Sequence, residues 1–210
     1  MAVKLNMANI YPPDAEELSL FLPDVDYKGC GFDSRVDFGR AVIEKGLVPS
    51  GFEKLDRECA DTLAAVLALK KDAIPMNIMM EQEPCTLLEI NSPDKASPLL
   101  ITCNFRETVR MMRETLELTS TRCFLLPIYT HGFTVDMAMT MKWFKPEEVL
   151  KALKENEVQE KVGKRIMIIP GLTNPWQDAI KELTEWDVLV GPVSGFLAPL
   201  FVVKNKHVWL

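Results

Sequence analysis

Five cysteines and two histidines are the side chains of this 210-residue sequence best suited to metal or nucleophilic chemistry. Cys30, Cys59, Cys85, Cys103 and Cys123 are scattered, with no C-x-x-C pair. An odd number of widely spaced cysteines reads as free thiols, not as a disulfide framework. Cys103 in LLITCNF and Cys123 in TRCFLLPI lie inside apolar runs, where cysteine acts as a small buried hydrophobe. Only His131 and His207 could serve as imidazole bases, and no G-x-S-x-G elbow occurs, so nucleophile–base hydrolysis has little support. Neither G-x-G-x-x-G nor G-x-x-x-x-G-K-[ST] is present, which leaves dinucleotide and P-loop binding equally unsupported. What remains are four short loops, 102–106, 130–135, 170–174 and 191–195, rich in Gly, Ser, Thr and Asn. Such loops bring backbone N–H groups and hydroxyls close to a ligand without bulk. They are also the ordinary punctuation of an α/β fold, and composition alone leaves both readings open.

The elements that must position those loops follow from apolar periodicity. Over 97–210, apolar runs of strand length at 98–104, 123–129, 165–169 and 187–190 alternate with helical patterns at 107–118, 134–143, 146–156 and 175–184. The strand runs are continuous rather than alternating, as in a parallel sheet covered on both faces. This predicts an open, mostly parallel, doubly wound α/β sheet of Rossmann or flavodoxin type, with ligands bound at the carboxyl ends of its strands. Pro146 and Pro175 fit first helical turns, the former with carboxylates beside it. On the charged face, Glu147/Lys151 and Glu157/Lys161 are spaced for i,i+4 ion pairs. Upstream, residues 1–71 form a small helical module, with Asp14 as an N-cap and helices near 34–45 and 53–69. Residues 72–96 form a proline-rich connection with one strand at 86–90, and Met76, Met79 and Met80 cluster within it. Trp143, Trp176 and Trp186 fit core or interface anchors. The apolar tail from Pro199 fits an extra strand or a dimer contact.

From about Ser97 to Val203 the sequence resembles a known family. The blocks LLITCNF, GFTVDMAMTMKWF, KPEEVLKALKENEVQEKVGKRIMIIPG and WDVLVGP follow in order. They are similar to the T-T-N-F, G-x-S-V-x-T-A-W-A-A-G-K-F, L-I-I-P-G and W-E-V-x-V-G-P blocks of the C-terminal corrinoid-binding domain of the corrinoid iron–sulfur protein. That protein is the large (gamma) subunit of the acetyl-CoA decarbonylase/synthase pathway. The resemblance implies cobalamin held with its lower base detached. Carried over position by position, the cofactor-binding candidates are Thr102, Asn104, Gly132, Phe133, Thr134, Val135, Met137, Ala138, Gly171, Leu172, Gly191 and Pro192. Met137 takes the place of the family's threonine below cobalt. Thr140, Met141 and Lys142 stand where the family has a small Ala-Ala-Gly surface against the corrin. His131 is a further candidate axial ligand, although the D-x-H-x-x-G pattern is absent.

The N-terminal module resembles the family's small iron–sulfur module, L-P-K-x-N-C-x-x-C-G-x-x-x-C. Its counterpart starts at Leu22-Pro23, and the ligand positions fall on Tyr27, Cys30, Arg35 and near Gly51. A cluster needs about four thiolates, and only Cys30 survives, so no 4Fe–4S cluster is expected and the module reads as degenerate. The family's barrel between the two modules is missing as well, so the complete methyl-shuttling cycle is not expected of this chain. Two functions follow. One is a corrinoid carrier in one-carbon and methyl transfer, at most a methyl-carrier component working with a methyltransferase or acetyl-CoA synthase-type partner. The other is a structural or regulatory relative that has lost the cofactor and binds partner proteins, with a homodimer as one arrangement. The formal charge of −6 argues against a nucleic-acid partner. No run of about 18 apolar residues predicts a membrane span, and the N-terminus lacks a signal-type apolar stretch, so a cytoplasmic location is expected.

Overall fold

A computed structural model describes residues 14–68 and 81–209; the cluster Met76, Met79 and Met80 lies outside them. Helices α1 (Ala15–Phe21), α2 (Arg35–Lys45) and α3 (Arg57–Ala68) precede a five-stranded sheet. The strands are β1 (Leu88–Ile90), β2 (Leu99–Cys103), β3 (Cys123–Ile128), β4 (Ile166–Ile169) and β5 (Asp187–Val190). Their order is β1-β3-β2-β4-β5. β2 to β5 run parallel, and β1 adds antiparallel to the edge of β3. Between and after them run α4 (Arg106–Leu118), α5 (Val135–Thr140), α6 (Pro146–Glu155), α7 (Val158–Lys161), α8 (Gln177–Thr184), α9 (Ala198–Lys204) and α10 (Lys206–Trp209).

Successive strand residues point to opposite faces, and the apolar runs divide accordingly. Leu100, Cys123, Leu125 and Ile168 join one core with Met111, Met112 and Leu116 of α4, Phe201 of α9, and Leu18, Phe38 and Leu63 of α1 to α3. Leu99, Ile101, Phe124, Leu126, Met167 and Ile169 join a second core with Val149, Leu153, Ile180 and Trp186. Helices thus cover both faces, as the unbroken apolar runs predict. Cys103 and Cys123 are fully buried, and all five cysteines are free thiols. Burial pushes the Cys123 thiol up to about 12.

Local chemistry explains the boundaries. Asp14 accepts the Glu17 N–H at 2.6 Å and caps α1. Ser34 accepts the Asp37 N–H and donates its hydroxyl to the Asp37 carboxylate, capping α2. The expected 134–143 helix stops at Thr140. There the Trp143 N–H bonds Ala138 O and the Lys142 N–H bonds Met139 O, and Lys142 lies at φ 57°. This is a Schellman ending with lysine in the position usually held by glycine. The two expected ion pairs are replaced by Lys151–Glu155 and Lys161–Glu89. Glu157, at φ 50°, separates α6 from α7 and so takes the Glu157/Lys161 pair out of a continuous helix; nothing in the structure explains the loss of Glu147/Lys151. The apolar tail forms α9 and α10 rather than a strand, with Pro199 in the first turn of α9. No helix among the described residues is long and apolar enough to cross a membrane.

Candidate ligand site at the strand ends

The chain leaves β2 toward β3 on one side and later returns through β4 on the other, so the order reverses at β2/β4. Connections diverge at such a point and open a crevice beyond the carboxyl ends of the strands. A cavity of about 290 Å³ lies there. Thr102, Ile168, Ile169 and Pro170 line it from the strands and their ends, Thr108, Met111 and Met112 from α4, and Thr134, Val135 and Asp136 from the start of α5. Leu172, Pro192, Val193, Phe196 and Ala198 close the remaining side. A second cleft of about 630 Å³ sits between α3, the end of α4 and the C-terminal helices. Its charges are already matched, Lys206 with Glu58 and Arg122 with Asp94.

The strand-end cavity is mostly apolar with a few polar groups, the usual make-up of a small-molecule site. One of these groups is unsatisfied. Thr102 is 1% exposed, and its Oγ1 has no hydrogen-bond partner beyond the weakly bonding Cys103 thiol. A buried hydroxyl without a partner costs about 1–3 kcal/mol, which a ligand acceptor or donor would recover. Thr134, by contrast, donates to the Asp136 carboxylate.

Of the twelve residues expected from sequence, Thr102, Thr134, Val135, Leu172 and Pro192 line this cavity. Asn104 does not; it organises the neighbouring loop. Its Oδ1 accepts the Thr130 N–H at 2.9 Å and the Gly132 N–H at 3.0 Å, and lies 3.0 Å from the Thr130 hydroxyl. Gly171 and Gly191 hold the β4 and β5 loops together. The Gly171 N–H bonds Pro192 O and the Gly191 N–H bonds Ile169 O. A Cβ on Gly171 would come within 2.7–2.9 Å of the 191–193 backbone, so no larger residue fits. Ala138 is buried in the second core, while Met137 is 42% exposed.

Phe133 and His131 both pack on Trp143, with ring centroids 4.7 Å apart in each pair. Tyr129 OH lies 3.1 Å from His131 Nδ1, fixing the imidazole from its other side. Met141 and Lys142 are exposed and line no part of the cavity. Sequence reasoning missed the wall contributed by α4 and by residues 193–198. Met111 and Met112 read only as helix core, because nothing in their spacing separates a cavity wall from packing.

In the N-terminal region two of the four positions compared with cluster ligands, Tyr27 and Arg35, carry other jobs. Tyr27 is buried, donates its hydroxyl to Pro23 O at 2.8 Å, stacks with Phe52 and packs at a tilt against Phe38. Phe32 completes the aromatic group. Arg35 donates to Leu22 O at 3.2 Å. Cys59, in the adjoining core, has its thiol pushed up to about 11 by burial, helped by the Asp56 and Glu58 carboxylates.

Comparison with known proteins gives a consistent set of relatives. A family model described as CO dehydrogenase/acetyl-CoA synthase delta subunit matches residues 77–196, more than half of the chain. The acetyl-CoA decarbonylase/synthase complex subunit gamma of Methanopyrus kandleri is 34% identical over 125 residues, 60% of this chain and 27% of the relative. Its Archaeoglobus fulgidus counterpart is 35% identical over 119 residues, 57% of this chain and 25% of the relative. The corrinoid/iron-sulfur protein large subunit of Moorella thermoacetica is 32% identical over 114 residues, 53% of this chain and 26% of the relative. The chain spans about a quarter of the length of these relatives.

Proposed function

Because this chain belongs to the CO dehydrogenase/acetyl-CoA synthase delta subunit family, we propose that it binds a corrinoid and serves one-carbon transfer with a protein partner. A methyltransferase or acetyl-CoA synthase-type protein is the partner class this reading favours. The observation that carries it is the unsatisfied Thr102 hydroxyl at the floor of an apolar cavity, placed where the strand order reverses. The residues fit part of such a ligand. A cavity of about 290 Å³ is at the lower limit for drug-sized molecules, so it takes one arm of a corrinoid while the macrocycle stays outside. Thr102 supplies a hydrogen bond, Leu172, Pro192 and Val135 supply apolar walls, and Asn104 fixes the 130–133 loop. The chemistry a corrinoid supplies when bound is methyl-group carriage at cobalt; positioning is the protein's task.

An iron–sulfur cluster does not fit. Tyr27 and Arg35 are committed to backbone carbonyls, aromatic rings fill the middle of the segment, and neither residue type supplies the thiolates a cluster needs. We read 22–52 as a degenerate module rebuilt around those rings.

A second reading, a partner-binding relative without cofactor, is favoured by Thr140, Met141 and Lys142 standing exposed where the family surface is small. One spectrum separates the two. Purified protein is mixed with hydroxocobalamin, desalted and scanned in the visible. A retained corrin band of base-off shape supports the corrinoid reading, and a colourless protein favours the second.

A further inference from the structure

The loop that closes the cavity beside β5 is held from both sides. On the sheet side, the Gly171 N–H donates to Pro192 O at 2.9 Å. On the other side, Glu17 of α1 accepts the Val193 N–H at 2.7 Å and the Ser194 N–H at 3.1 Å, both on Oε1. Val193, Gly195, Phe196 and Ala198 all line the cavity. The same short helix grips the far end of this segment, where Lys204 Nζ donates to Leu20 O and Phe21 meets Phe201 edge to face at 5.8 Å. Charge-assisted bonds from one carboxylate to two successive amides are stronger and more directional than neutral ones.

We propose that Glu17 is a positioning residue for the strand-end cavity, so that the N-terminal module shapes the ligand site by holding the 192–198 wall. As a statement about ligand binding this rests on the corrinoid reading above; as a statement about the wall it does not. The sequence carries the tether as a single acidic residue in the first turn of α1, indistinguishable there from an ordinary helix-dipole carboxylate.

The test uses the full chain with Glu17→Ala, Glu17→Gln and Val42→Ala, the last a buried substitution on α2 that loosens the N-terminal core and leaves the Glu17 hydrogen bonds to the loop in place. Hydrogen exchange by mass spectrometry and the dissociation constant for hydroxocobalamin are measured for each. The expected result is faster exchange in the peptide covering 190–197 for Glu17→Ala alone. Its dissociation constant rises about tenfold, and Glu17→Gln, which keeps the accepting oxygen, recovers most of the loss. Unchanged exchange at 190–197 in Glu17→Ala would overturn the proposal. So would an equal rise in dissociation constant for Val42→Ala. If the unsubstituted chain binds no hydroxocobalamin, the corrinoid reading fails, and the exchange result alone decides the role of Glu17.

Discussion

In the segment 22–52 four aromatic rings meet in the middle: Phe38 lies 4.6 Å from Phe52, 5.3 Å from Phe32 and 5.4 Å from Tyr27, centroid to centroid. At the strand ends the side chains stop short, leave about 290 Å³ open, and keep one buried hydroxyl unsatisfied. Both regions stand where the family resemblance places a bound group. In the first, aromatic side chains fill the space, and the Tyr27 hydroxyl and Arg35 guanidinium are spent on backbone carbonyls. In the second, glycines join the loops, and the buried Thr102 hydroxyl has no partner stronger than the Cys103 thiol. A protein tolerates such a defect when something outside the chain satisfies it. Substitutions should therefore read out differently in the two places, costing stability at Phe38 and costing ligand rather than stability at Thr102 itself.

The largest effect is expected at Phe38, fully buried among the other rings. Phe38→Ala should destabilise by about 3–5 kcal/mol and lower the melting temperature by on the order of 10 °C, read by thermal denaturation. Next comes Asn104→Ala, which strips the Thr130 and Gly132 amides of their acceptor. About 3 kcal/mol is expected from two buried donors left unpaired, and Asn104→Asp, which keeps the acceptor, should recover most of it. Failure of that recovery in urea titration would mean that packing, not the hydrogen bonds, is what matters there.

Alkaline pH should destabilise the fold through its buried titratable groups, Cys123 of β3 as well as Cys59 and Tyr27. Burial pushes Cys59 from about 9 to about 11 and Tyr27 from 10 to about 12. Between about pH 9 and 12 the unfolded chain releases protons that the folded chain keeps, so stability falls as pH rises through that window. Below pH 9 these groups contribute no pH dependence. Cys59→Ala should flatten the early part of the decline in melting temperature, and an unchanged curve would remove Cys59 from this account.

The sheet was readable because burial on both faces writes itself into sequence as unbroken apolar runs. LLITC and CFLLPI each supply two cores by simple alternation. The capped helix starts at Asp14 and Ser34 were readable for an equally local reason. On the cavity, Thr102, Thr134, Val135, Leu172 and Pro192 were found through the family resemblance, at or just beyond strand ends. Its other wall, Met111, Met112 and Phe196, depends on how α4 and the segment after β5 are set against the sheet, and no local pattern encodes that. Glu17 is the extreme case, a contact made across nearly the whole chain.

Thr102→Val tests the cavity directly. Valine keeps the shape and suits a strand, so removing an unsatisfied hydroxyl should be neutral or stabilising by about 1 kcal/mol. Hydroxocobalamin retention should fall several-fold, by roughly the 0.5–1.5 kcal/mol of one hydrogen bond, measured by equilibrium dialysis. Destabilisation by 2 kcal/mol or more would show that the hydroxyl is satisfied within the protein and would remove the main support for the site.

Lys142→Gly should have the smallest effect and separates the two functional readings. Lys142 occupies the left-handed position of the Schellman ending at φ 57°. A non-glycine residue there is strained by roughly 1–2 kcal/mol, partly offset by the extra freedom glycine gives the unfolded chain. A net gain of about 0.5–1 kcal/mol is therefore expected in denaturant unfolding. The family's small residue at this position then has a backbone reason, independent of any ligand. Substituting glycine also clears side-chain bulk beside Met141, on the surface the resemblance sets against the corrin. If hydroxocobalamin binds more tightly to Lys142→Gly, the lysine hinders a ligand the chain still accepts. If stability rises while the protein stays colourless, glycine serves the turn alone and the partner-binding reading gains.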